Sequence, residues 1–292
     1  MPNERDIRNA SQLTDRWLLR RQRKHVKFIE KSIGELQKSI LNSISTLRTN
    51  KDGMVEGIRV NLKQSQKIHR DIEKSFQGKY STKMRSVIND FKNINSLVKR
   101  SYQYLDEAVT FTGVEETALT VLRDGMYQDY IQIGTRAKNK IVQEVYNNVL
   151  ANGEFSTLVG IIEQQLLGSA LTGVTGKPLV QYARLYANDM IMNYHNEVNL
   201  MKAEDAGLNH FLYVGDIIAT TRDFCKRRVG KIYTRNQIQS WTYRWGGKSG
   251  PALTHRGGYN CRHHWQATDP KWHKGKKRVN VADWNLEQRA GG

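Results

Sequence analysis

The chain of 292 residues carries 46 Lys+Arg against 28 Asp+Glu, a formal charge of +18. That balance points to a polyanionic partner such as nucleic acid, an anionic membrane or an acidic protein surface. Two cysteines exclude a disulfide scaffold, and no apolar run reaches the roughly 18 residues that would cross a bilayer.

A hydrophobic fraction of 38% with only 4 prolines suits long, solvent-rich helices more than one large globule. The first 25 residues, MPNERDIRNASQLTDRWLLRRQRKH, hold charges but no apolar h-region, which reads as synthesis in the cytoplasm without a secretory signal. Residues 1–16 are polar, with Asp15 able to cap the helix after them. From Val26 to Leu47 the apolar residues Val26, Ile29, Ile33, Leu36, Ile40 and Leu47 alternate by three and four, skipping Ser43. This spacing predicts a helix with one apolar seam. Asn50–Gly53 is turn chemistry.

A second helical pattern runs through Val55, Ile58, Leu62, Ile68, Ile72 and Phe76, with Gln77-Gly78 expected to end it. A third takes Met84, Val87, Phe91, Ile94, Val98, Leu105 and Val109. Residues 1–112 therefore read as a helical hairpin or coiled-coil region whose seams also offer a surface for homo-oligomerisation. Residues 113–207 read as a second helical region. One helix is predicted over 115–150, with Gly125 and Gly134 as points of interruption, another over 156–171, and a third over 179–204 stopped by Ala206-Gly207.

At His210 the texture changes. FLYVGD is a short apolar strand, a helical turn is predicted around 224–228, Gly230 breaks it, and Lys231-Ile232-Tyr233 reads as a second strand. WGGKSGPALTHRGGYN reads as a loop, and residues 269–292 as a basic tail. The expected fold class is thus mainly α, an elongated helical bundle followed by a small α+β module over 208–268.

Both cysteines lie in this module, and between Arg222 and Arg278 fifteen Lys/Arg face only Asp223 and Asp269. Cys225, Cys261, His263 and His264 supply donors for a tetrahedral zinc site, although the spacing matches no standard zinc motif. The reading preferred over a metal site is two half-buried thiols near each other in a small core, and a third is a disulfide once outside a reducing compartment. Arg227, Arg228 and Lys231, with Lys274, Lys276, Lys277 and Arg278 in the tail, are the candidate phosphate contacts for double-stranded DNA. The interleaved aromatics could stack bases, while Trp241 and Trp265 are expected inside the module. His263 and His264 among arginines also admit a zinc-dependent nuclease or toxin-like effector, but acids for such catalysis are scarce.

The order Arg222-x-x-Cys225, Gly230, then Cys261-Arg262-x-His264 followed by Trp265 resembles the C-terminal domain of the phage Mu F-like head morphogenesis family. These are minor head proteins of tailed phages. The resemblance covers about the 55–60 residues of the module. It implies a virion protein without a catalytic residue or required cofactor, bound near the portal vertex and the capsid interior and touching packaged DNA. Arg222, Cys225, Gly230, Cys261, Arg262 and His264 would be structural residues of the motif.

Overall fold

The computed structural model describes residues 4–103, 110–168, 178–245, 248–258 and 260–273, with the side chains of 4–12 and 242–250 outside the description. Its order is α1 (Glu4–Ile44), α2 (Ile58–Ser75), a π-helical turn (Phe76–Ser81), α3 (Thr82–Asn89), α4 (Lys92–Gln103), α5 (Gly113–Ala151), α6 (Phe155–Leu166) and α7 (Leu179–Asp205). Then come β1 (His210–Val214), α8 (Asp223–Lys226), β2 (Ile232–Thr234), α9 (Arg235–Gln239), β3 (Thr242–Trp245), β4 (Lys248–Pro251), α10 (Ala252–His255) and β5 (His264–Thr268). The fold is mainly α with a small C-terminal α+β module. No helix among the described residues is long and apolar enough to cross a membrane.

Two compact units group these elements, one made of Arg23–Asn89 with Arg123–Ala187, the other of Met1–Gln22, Asp90–Leu122 and Asn188–Gly292. The C-terminal module therefore belongs to the same unit as the end of α7 and the segments 1–22 and 90–122. The division in sequence order at 112 and 207 does not appear in this grouping.

In the first unit the seam of α1 is buried at Ile29, Ile33, Leu36, Ile40 and Ile44. Where the pattern skips, Ile44 takes the inward position and the Ser43 hydroxyl donates to Ser39 O at 3.0 Å. The seam of α2 differs from expectation. Leu62 is 45% exposed, and the inward position falls to Asn61. That side chain accepts from Arg48 N at 2.9 Å and donates to Arg48 O and Glu56 O, so it satisfies the backbone of the turn between α1 and α2.

The Gln77-Gly78 step does not end the helix. It lies within the π-helical turn, whose wider winding brings both Phe76 and Tyr80 to the core side. The Tyr80 hydroxyl donates to Tyr130 O at 3.1 Å. Gly134 does not interrupt α5 either; a Cβ there would collide with the buried Tyr80 ring. Gly134→Ala is accordingly expected to destabilise the fold by about 1–3 kcal/mol through overpacking, read as a lower urea midpoint with an unchanged slope.

In the second unit α7 is buried at Met190, Ile191, Met192, Tyr194 and Val198, and also at the polar Asp189, His195, Asn196, Asn199 and Lys202. Three asparagines of α7 hold the C-terminal module. Asn196 Nδ2 donates to Leu253 O, Asn199 Nδ2 to Trp265 O at 2.8 Å, and Asn188 Nδ2 to Asn260 Oδ1 at 3.1 Å. The sheet has the order β2-β1-β5, antiparallel throughout, with Phe211 opposite Tyr233 and Ala267, and Tyr213 opposite Trp265. β3 and β4 form a separate hairpin; β4 and α10, which follows it directly, fall in the segment that reads as a loop, while β3 mostly precedes it.

Candidate functional site

The module has few aliphatic residues, and its core is aromatic. Phe211, Tyr213, Tyr233 and Trp265 are fully buried and Trp241 nearly so. Tyr213 and Trp265 lie 4.4 Å apart between ring centroids, Tyr233 and Trp241 5.4 Å, and Trp265 Nε1 donates to Ala252 O at 2.9 Å. Trp241 and Trp265 are inside, as expected. Tyr233 is core as well and offers no face for a base.

Against this core sits a cluster of sulfur and nitrogen donors. β1 ends by placing the Tyr213 hydroxyl inward, α8 supplies Cys225, and the chain leading into β5 supplies Cys261 and His263. The Cys225 and Cys261 sulfurs are 3.7 Å apart and unbonded. His263 Nδ1 lies 3.6 Å from Cys261 Sγ, and the Tyr213 hydroxyl 3.4 and 3.7 Å from the two sulfurs. One ligand atom from each of Cys225, Cys261 and His263 falls within 4.8 Å of the others, all three residues being buried.

Glycines make the close approach possible. At Gly257 a Cβ would collide with Cys225 Sγ and come within 2.9 Å of Cys261 Sγ. The Arg222 guanidinium fixes that backbone by donating to Gly257 O at 2.9 Å. Gly215, at φ 144°, leaves room for the His263 ring, whose Cδ2 a Cβ would meet at 2.5 Å. The ring also stacks on Tyr213, with an interplanar angle of 11°. Gly230 turns the chain between α8 and β2 at φ 81°, its N–H donating to Tyr213 O.

A buried cation completes the surroundings. Arg256 is 1% exposed, adopts φ 54°, and has Nε and Nη1 buried without a hydrogen-bond partner among the described residues. Burial chiefly pushes the Asp189 carboxyl up to about 6, against the pull of Arg256 and of the Asn260 N–H. The two thiols diverge. The hydrogen bond between them favours the Cys261 thiolate, which His263 and Arg256 also favour, and drives the Cys225 thiol upward.

His264 is not part of the cluster. Successive side chains along extended backbone point to opposite sides, so His263 faces the sulfurs and His264 the other way. Its Nε2 lies 3.2 Å from Asp15 Oδ1 and its ring meets His195 edge-on at 5.2 Å. Burial lowers the proton affinity of both imidazoles. The zinc-ligand set read from sequence, which the nuclease alternative shares, therefore keeps Cys225, Cys261 and His263 and loses His264. Asp15 is a partner of His264 rather than a helix cap, since α1 is already under way at Glu4.

No protein-family model, curated protein or solved structure matches this chain. The roles of the candidate residues rest on their own geometry.

Among the candidate phosphate contacts Arg227 is exposed and Lys231 half-buried, as is the motif residue Arg222, while Arg262 is exposed. Arg228 is the correction. It is 2% exposed, its guanidinium 3.8 Å from the Phe224 ring centroid and 4.0 Å from that of Trp241, with Nη1 donating to Phe224 O. A cation sandwiched between two aromatic faces serves packing and cannot reach phosphate. Lys274, Lys276, Lys277 and Arg278 lie outside the described residues. Arg256, whose charge reads in sequence as part of the basic surface for phosphate, is instead buried beside the cluster. Tyr213, Gly215 and Gly257 are neighbours of the cluster that sequence reading missed; the Gly257-Gly258 pair ahead of Cys261 is the one signal that pointed to a close backbone approach.

Proposed function

We propose that this chain is a minor head protein of a tailed bacteriophage, bound near the portal vertex on the capsid interior and contacting packaged double-stranded DNA in head assembly or genome delivery. The observation that carries the reading is the convergence of motif residues distant in sequence. Arg222, Cys225 and Cys261 meet around Gly257, with Gly230 making the turn between them and β2. Such convergence is what a structural motif requires, and it supports the resemblance that the sequence carries.

The charge agrees with this reading. An excess of +18 concentrated towards the C-terminus suits a compartment filled with nucleic acid. Arg227 and Arg262 are exposed cations of the motif segment, and they would contact phosphate without reading sequence. Mass spectrometry of gradient-purified procapsids and mature particles tests the proposal. The chain is expected in both, at a fixed ratio to the portal protein. Its absence from both particles, with the protein free in the lysate, would contradict the reading.

A further inference from the structure

We propose that Cys225, Cys261 and His263 form a zinc site that staples the C-terminal module, with the Tyr213 hydroxyl closing its fourth side. This stands on the geometry of the cluster and is independent of the head-protein reading.

Two of the three separations match a tetrahedron around zinc, and the third, between Cys225 and His263, lies within 4.8 Å. Bonds of about 2.3 Å to sulfur and about 2.0–2.1 Å to nitrogen put two sulfurs about 3.8 Å apart and a sulfur and nitrogen about 3.5 Å apart. The corresponding distances are 3.7 Å between Cys225 and Cys261 and 3.6 Å between Cys261 and His263 Nδ1. The Tyr213 hydroxyl, 3.4 and 3.7 Å from the sulfurs, is the oxygen near enough to them to serve as a fourth neighbour. A disulfide would instead need the sulfurs at about 2.05 Å, and it gives no role to the imidazole aimed at one of them.

The surroundings are shaped for such a group. The backbone at Gly257 packs against both sulfurs and Gly215 against the imidazole, so the donors are held on two sides with no room for a larger residue. Binding is a simple exchange of protons: zinc takes the place of the thiol hydrogens, which pass to solvent, and two thiolates neutralise the ion. The elements that the site joins explain its use. α8 and the approach to β5 flank a small core poor in aliphatics, where a metal adds stability that burial alone supplies sparingly.

The test is metal analysis of the full chain, produced in zinc-supplemented medium and purified under reducing conditions. About one zinc per chain is expected. Cys225→Ser and Cys261→Ser should abolish it. His263→Gln should weaken binding by more than the roughly 10–100-fold typical of changes outside the ligand shell, whereas His264→Gln should retain the zinc. Cobalt exchange into the unsubstituted protein should give a thiolate-to-cobalt charge-transfer band, and a chelator should lower the melting temperature; both measurements stand even if the cysteine variants fail to fold. A chain without zinc whose two thiols react freely, or whose mass is that of a disulfide, overturns the proposal. Loss of zinc in His264→Gln as complete as in His263→Gln overturns the ligand set.

Discussion

Replacing Trp265 with alanine is expected to cost about 3–5 kcal/mol, enough to unfold the C-terminal module at moderate temperature. Trp265 is fully buried, packs against Tyr213, Tyr233 and Trp241, and donates its indole N–H to Ala252 O. Its own carbonyl accepts from Asn199, so the strand carrying it is also the strand that docks on α7. Truncation would leave a cavity amid aromatic rings that cannot close over it, and Ala252 O with the Arg256 N–H alone of its two donors. Trp265→Phe keeps most of the volume and loses the hydrogen bond, so it should cost less, about 1–2 kcal/mol. Denaturant unfolding followed by tryptophan emission and by far-ultraviolet dichroism reads both, and equal costs for the two variants would contradict this account.

The second large effect is expected at Lys202. Its ammonium is fully buried at the end of α7, 2.5 Å from Glu115 Oε1 and from Asp205 Oδ2. It also donates to Thr110 O at 2.8 Å and lies over the Phe111 ring. Lys202→Met removes the cation from a group that still contains a mostly buried carboxylate. Breaking such a pair from one side costs more than the pair is worth, here about 2–4 kcal/mol because both acids keep some solvent.

The sign of the pH dependence comes from Glu115. Burial opposes its charge, but hydrogen bonds from Lys202 and from Thr112 more than offset this and hold its carboxyl below the ordinary 4.5. A depressed carboxyl contributes stability that is present above its unfolded value and lost as the pH falls through its folded one. The difference between the unsubstituted protein and Lys202→Met should therefore be full near neutrality and shrink below pH 4.5. A difference that stays constant into acid would show that the ion pair is not its source.

The features legible in the sequence are those that obey a simple period. The seam of α1, the burial of Ile68 and Ile72 on α2, and that of Phe76 at the start of the π-helical turn come from spacings of three and four around one apolar stripe. Leu62 misleads because the backbone of the preceding turn needs a polar partner, and Asn61 rather than a hydrophobe takes the inward place. Gln77-Gly78 misleads because a π-helical turn can absorb a glycine that would otherwise end a helix.

In the module, β1 is visible as an unbroken apolar run. β5 is not, since His264 and Trp265 are buried on opposite sides and no alternation of polar and apolar residues marks the strand. The candidate site is legible at the level of residue type, two cysteines with histidines nearby. Which histidine joins them is settled by the two-residue period of extended backbone, and a sequence alone does not say where a strand begins. Arg228 shows the converse limit. Charge suggests solvent, yet flanking aromatic rings can bury a guanidinium.

The most direct test of the head-protein account is co-purification of the tagged chain with its portal and capsid proteins, before and after nuclease and high salt. The predicted result is a discrete complex with the portal protein that survives both treatments, because its docking does not depend on the DNA that they remove. Loss of every partner once nucleic acid is removed would contradict the portal assignment and leave binding to polyanion as the whole function of the basic module.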